Sequence, residues 1–159
     1  MKVGLKGGRQ AAGSDIAAVE AVIGQPLDGQ FRRFIEANNG ADPDVNSFPV
    51  DGVAHVGGVT EFIPIENVIR EREYIDDISP HAYPIASSEG GNYVLLDQDQ
   101  GGGIFFWDHE VEGRISKLAD SFDEFLDMIE PFDVSTIKLA PGQVKSAWID
   151  PDFLKQFGD

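Results

Sequence analysis

The sequence predicts an α+β domain with a mainly antiparallel sheet and helices packed on one side. Between residues 83 and 110, strand-length runs follow one another directly: YPIASSEGGNYVLLD, then GIFFWDHE after a polar turn. Helical patterns lie before and after these runs, an order that points to antiparallel pairing rather than alternating βαβ units. The chain has 159 residues, 42% hydrophobic and 10% aromatic, which suffices for one sizeable core and favours one domain.

The first helix is predicted from Ser14 or Asp15, with Ile16, Val19, Val22 and Ile23 on one face and Gly24 ending it in the left-handed conformation. After Gln25-Pro26-Leu27, Asp28 is placed to cap a second helix carrying Phe31, Phe34 and Ile35, with Asn39-Gly40 as its stop. The Pro-containing turn between them suggests a helical hairpin. Residues 41–58 (ADPDVNSFPVDGVAHVGG) read as a loop with room for one short strand. Gly58 to Ile65 (GVTEFIPI) reads as a strand, with Pro64 suited to its end. Glu66 to Ile75 reads as a solvated helix with Val68, Ile69 and Tyr74 turned inward.

The strand at Tyr83, a Gly90-Gly91 turn, the strand through Val94, Leu95 and Leu96, a turn at residues 97–103 and the strand Ile104 to Trp107 come next. An acidic turn leads to the last helix, where Ser121 and Glu124 have capping-box spacing and Phe122, Phe125, Leu126 and Ile129 recur at three and four. The predicted order is α-α-β-α-β-β-β-α. Beyond it, a strand at Ser135 to Leu139 and a short helix at Asp152 to Phe157 are expected. The chain is thus expected to form one domain over residues 1–159, with a core at about 14–130 and a C-terminal extension at 131–159.

Four segments taken together resemble the SMI1/KNR4 family, or SUKH superfamily: Phe31 to Gly40 (FRRFIEANNG), Tyr83 to Asp97, Ile104 to Glu110 and Leu118 to Ile129. They match that family's early helix ending in Asn-Gly, its "PIA" strand and Gly-Gly-Asn turn, its strand closing on Asp, its strand ending in Trp-Asp-His, and its Ser-Phe-x-x-Phe-Leu helix. The segments before Gly13 and after Pro131 match nothing in the pattern. The resemblance implies the same α+β architecture.

Charge is the second signal: 28 acidic against 12 basic residues give a formal charge of −16. Between Glu73 and Gly113 there is no Lys or Arg, while Glu73, Asp76, Asp77, Glu89, Asp97, Asp99, Asp108, Glu110 and Glu112 fall there. A field of one sign repels nucleic acid and anionic lipid and steers a basic partner toward itself, although net charge by itself also serves solubility. No apolar run is long enough to span a bilayer, and MKVGLKGGRQ lacks the apolar stretch of a secretory signal, so the expected compartment is cytoplasmic. With no cysteine, disulfides, thiolate metal sites and a Cys nucleophile are excluded.

Catalytic motifs are weak. Asp108-His109-Glu110 sets a histidine between carboxylates, with Ser87, Ser88 and Ser121 as conceivable nucleophiles, but neighbours on a strand point to opposite faces and no G-x-S-x-G elbow occurs. Asp97-x-Asp99 lacks the terminal Glu and flanking helices of a calcium loop, Asp42-x-Asp44-x-Asn46 matches less well still, and His55, His81 and His109 lack zinc spacing. The glycine clusters lack a P-loop's Lys-Ser/Thr. The reading is therefore no enzyme, no cofactor and no metal.

Bacterial members of the resembled family commonly act as immunity proteins bound to a toxin domain, often a nuclease. The resemblance thus implies a non-enzymatic protein-binding module whose partner is a basic toxin protein, a nuclease domain; the acidic field and the lack of a long apolar run speak against nucleic acid and membrane as ligands. Candidate partner-binding residues are Glu89, Asn92, Asp97, Asp99, Asp108 and Glu110 as steering or rim groups and Tyr93 as an aromatic anchor; Asp97 and Asp108 also suit turn capping. The alternative is a regulatory interaction scaffold, the role tied to the family's eukaryotic members in signalling and cell-wall regulation. An unrelated α+β enzyme is the third reading.

Overall fold

The computed structural model describes residues 3–50, 57–111 and 115–131. The expected strand at 135–139 and helix at 152–157 lie outside these residues, as do His55 and Glu112. In chain order the elements are β1 (Leu5–Lys6), α1 (Gly13–Ile23), α2 (Gly29–Asn38), β2 (Asp42–Pro43), β3 (Ser47–Phe48), β4 (Gly57–Phe62), α3 (Ile65–Arg72), β5 (Ala82–Ser88), β6 (Asn92–Asp97), β7 (Gly103–Trp107), β8 (Ile115–Ala119) and α4 (Phe122–Met128).

Helix ends follow local chemistry, with some departures from expectation. Helix α1 begins at Gly13 behind Ala12, whose carbonyl takes the Asp15 and Ile16 N–H groups, so neither Ser14 nor Asp15 caps it. Gly24 ends it at φ 79°, donating its N–H to the Glu20 carbonyl. Ile16, Val19 and Ile23 are buried, but Val22 is 51% exposed, because the buried stripe at three- and four-residue spacing passes it by. Asp28 caps α2 through Oδ1, which accepts from the Gln30 and Phe31 N–H groups. Helix α3 starts behind Pro64 and stops at Arg72, shorter than expected, so Tyr74 lies past its end and is 64% exposed. Ser121 Oγ accepts from the Glu124 N–H at 3.2 Å, while Glu124 Oε2 reaches back to the Asp120 N–H rather than to that of Ser121.

Strands β3 to β8 form a six-stranded antiparallel meander in chain order, and β1 pairs with β2 in a separate ribbon. The hairpin register sets Tyr93 against Trp107 and Leu95 against Phe105. Strand β8, opposite β7, stands where only an acidic turn was expected: ISKLA alternates in exposure, as an edge strand does, and carries Lys117. The two-residue strands β1 and β2 owe their form to each other across the intervening helices, whereas β3 pairs with β4, the next strand in the chain; residues 41–58 thus hold short strands where one was expected.

All four helices and the inner sheet face share one core. Phe122 of α4 sits among Phe31, Phe34 and Phe62, with ring centroids 5.4, 5.0 and 6.5 Å away. The expected α1–α2 hairpin is not the main helix packing: α1 lies chiefly against α3, and α2 against α4. Among the described residues, no buried side-chain nitrogen or oxygen lacks a hydrogen bond.

Candidate partner-binding site

At one end of the meander, the β5–β6 turn and the segment after β7 lie side by side. Gly90 and Gly91 take φ 77° and 83°, a left-handed conformation that favours glycine, and Gly91 lies beside the His109 ring. Asn92 Oδ1 lies 3.0 Å from the His109 backbone nitrogen and 2.8 Å from Nδ1, an arrangement in which both nitrogens donate. Asp108 Oδ1 accepts the Glu110 N–H at 3.0 Å, an Asx turn that holds Glu110 outward. Glu89, Asn92 and Glu110 thereby line a cleft of about 280 Å³ with Gly57, Gly58 and Ser88.

At the other end, the β6–β7 turn carries Asp97 and Asp99. Asp97 is only 9% exposed: Oδ2 accepts from Ser79 Oγ at 2.7 Å and Oδ1 from the Asp99 N–H at 2.9 Å. Asp99 Oδ1 lies 2.7 Å from His81 Nδ1. Asp97 thus holds the turn while Asp99 faces solvent. A second cleft, of about 330 Å³, opens here between residues 77–79 and the outer faces of β6, β7 and β8.

The seven candidate residues therefore form no single patch. Asn92 and Asp97 are the two ends of one strand, roughly 17 Å apart at the usual rise. Tyr93 lies near the first end on the outer sheet face, its ring 6.0 Å from that of Trp107 and its hydroxyl donating to Glu71 Oε2 at 2.6 Å. Burial, then the bond to the Glu71 carboxylate, pushes the Tyr93 hydroxyl up from its ordinary value. The Tyr93 hydroxyl is thus already engaged, while its ring lies against that of Trp107.

The SMI1 / KNR4 family (SUKH-1) model matches residues 10–128, three quarters of the chain. The chain belongs to the SMI1/KNR4 family. A curated relative in sequence, the SPbeta prophage-derived uncharacterized protein YokK of Bacillus subtilis (strain 168), is 43% identical over 56 residues. That stretch covers 33% of this chain and 29% of the relative, so the chain matches under a third of the relative's length.

In this SMI1/KNR4 domain the acidic field rests on turns and strand ends of the outer sheet. Of the cations near it among the described residues, Arg72 donates to the carbonyls of Ser79, Pro80 and Ala82, and Lys117 pairs with Asp120. Sequence reading missed Glu71, Asp77 and Ser79 as neighbours of the candidate residues. Only Asp77 belonged to a recognised acidic run, and contact with a distant strand leaves no local signal. Among the described residues, no group of three or more His, Asp or Glu side chains is placed to hold a metal ion, and no helix is long and apolar enough to cross a membrane.

Proposed function

We propose that this protein is a non-enzymatic binding module, a bacterial immunity protein that captures a basic toxin protein, specifically a nuclease domain, in the cytoplasm. One observation carries the reading: a stretch of some forty residues without Lys or Arg supplies the β5 to β7 meander and sets Glu89, Asp99, Asp108 and Glu110 at its two ends. A nuclease needs a cationic cleft to hold phosphates, and a carboxylate-bearing surface meets that cleft by charge complementarity. Membership of the SMI1/KNR4 family supports the same reading. Glu89, Asn92 and Glu110 act as one rim group, Asp99 as another, Asp97 and Asp108 hold the turns that carry them, and Tyr93 anchors through its ring. The engaged side chains of His109 and Asp108 favour structure over catalysis at that turn.

Co-expression with a toxin domain encoded beside this gene tests the proposal. Rescue of growth together with co-purification supports it. Absence of both across the adjacent toxin genes favours the scaffold reading, and turnover abolished by His109→Ala favours an enzyme.

A further inference from the structure

The outer sheet face carries an apolar floor facing away from the shared core. Leu95 and Phe105 pair across β6 and β7 and alternate with Val94, Leu96, Ile104 and Phe106, which point into that core. Ile115, opposite Trp107 on β8, continues the floor toward the sheet edge and is 41% exposed. Asp77 and Ser79 line the facing side of this second cleft, and Asp97, two residues along β6 from Leu95, ends the floor. Asp77 holds φ 57° and is the one non-glycine residue with positive φ among the described residues, a conformation aspartate adopts more readily than most.

Among the described residues, no cation balances the carboxylates at this site. Asp97 is buried with hydrogen bonds from a hydroxyl and an N–H, but no cation pairs with it among the described residues. His81 is taken by Asp99, Lys117 by Asp120, and Arg72 by three backbone carbonyls. A buried carboxylate without a counter-ion gains from one that arrives already desolvated along its stem. Lysine and arginine have that form, an aliphatic stem ending in a charge.

We propose that this cleft receives a lysine or arginine side chain of the protein partner, its methylenes on Leu95, Phe105 and Ile115 and its cationic head between Asp77 and Asp97. The identity of the partner rests on the immunity reading; the cation selectivity of the cleft does not.

The test is a titration with N-acetyl-arginine methylamide, followed by NMR on the methyls of Leu95 and Ile115 and the amides of residues 77–79, with the neutral citrulline counterpart as control. Saturable shifts at these positions are expected for the arginine probe and not for citrulline. Asp77→Asn, at an exposed site whose backbone asparagine also tolerates, is expected to weaken binding about tenfold. Ile115→Lys, which sets a cation at the mouth, is expected to do the same. Equal shifts with citrulline, shifts spread evenly to Glu89 and Glu110, or affinity unchanged by both substitutions would overturn the assignment. If the probe binds as stated but no toxin is captured, the cleft stands and the immunity reading falls. If a toxin binds both variants as tightly as the parent and the probe does not bind, the cleft assignment alone falls.

Discussion

Asn39, at the end of α2, caps the start of α3: its Oδ1 accepts the Ile65 N–H at 2.7 Å and its Nδ2 donates to Glu66 at 2.9 Å. Its own backbone exchanges hydrogen bonds with Arg9, whose guanidinium pairs with Glu66. One residue, 1% exposed, thus ties the N-terminal segment to two helices through its backbone and side chain together. Asn39→Ala leaves a buried N–H without its acceptor and is expected to cost about 1–3 kcal/mol of stability. Asn39→Asp keeps the acceptor but faces the Glu66 carboxylate, so it should recover only part of the loss. Urea unfolding of the three proteins checks this, and equal midpoints would refute it.

Phe122 is the ring on which α2, α4 and β4 converge. Phe122→Ala removes three edge contacts and opens a cavity, with an expected loss of about 3–5 kcal/mol. Phe122→Leu should lose clearly less. Thermal melts of both variants decide whether the cluster or mere hydrophobicity matters.

Alkaline pH should weaken the fold. Tyr83 Oη accepts the Asp28 N–H at 3.1 Å and donates to Gln98 Oε1 at 2.9 Å; burial above all pushes its hydroxyl up, as it does for Tyr93. A hydroxyl whose folded pKa lies above its unfolded value of 10.0 keeps its proton longer in the native state. Its contribution is complete below pH 10 and is lost as pH rises toward the folded value. Unfolding midpoints at pH 9, 10 and 11 should fall for the parent and fall less for Tyr83→Phe and for Tyr93→Phe. Parallel curves for all three proteins would contradict the assignment.

If a toxin complex forms, the acidic turns should act on its rate of formation. Glu89→Gln and Glu110→Gln, both at exposed positions, are expected to slow association several-fold at low salt while leaving dissociation and stability nearly unchanged. The difference should shrink as salt shortens the Debye length from about 10 Å at 0.1 M to 3 Å at 1 M. A salt-independent association rate, measured by stopped flow, would make the field incidental.

Much of this fold is legible in the chain because its signals are local. Asp28, Gly24, Ser121 and the apolar runs of β6 and β7 each act within a few residues of where they stand. What escaped depends on distant partners. Strand β8, the edge among the described residues, is amphipathic and carries Lys117, and Leu5 and Asp42 are extended only because another segment lies beside them. Tyr74 looked like part of an apolar stripe because nothing local marks Arg72 as the last helical residue, the one that turns back to bond the carbonyls before β5. The candidate residues cluster in sequence, yet a single strand carries Asn92 and Asp97 to opposite rims of the sheet. Burial of Asp97 by Ser79 involves a loop eighteen positions away.

A sheet whose six members neighbour one another in chain order closes each ladder over a short stretch of backbone, so most of its loop-closure entropy is small. One closure runs against that order. Ser47 and Glu130 exchange backbone hydrogen bonds at 2.9 Å each way, covering the side of β3 away from β4 only once α4 has been made. During synthesis that flank stays open to foreign strands until the ribosome has released the whole matched region, which ends at residue 128.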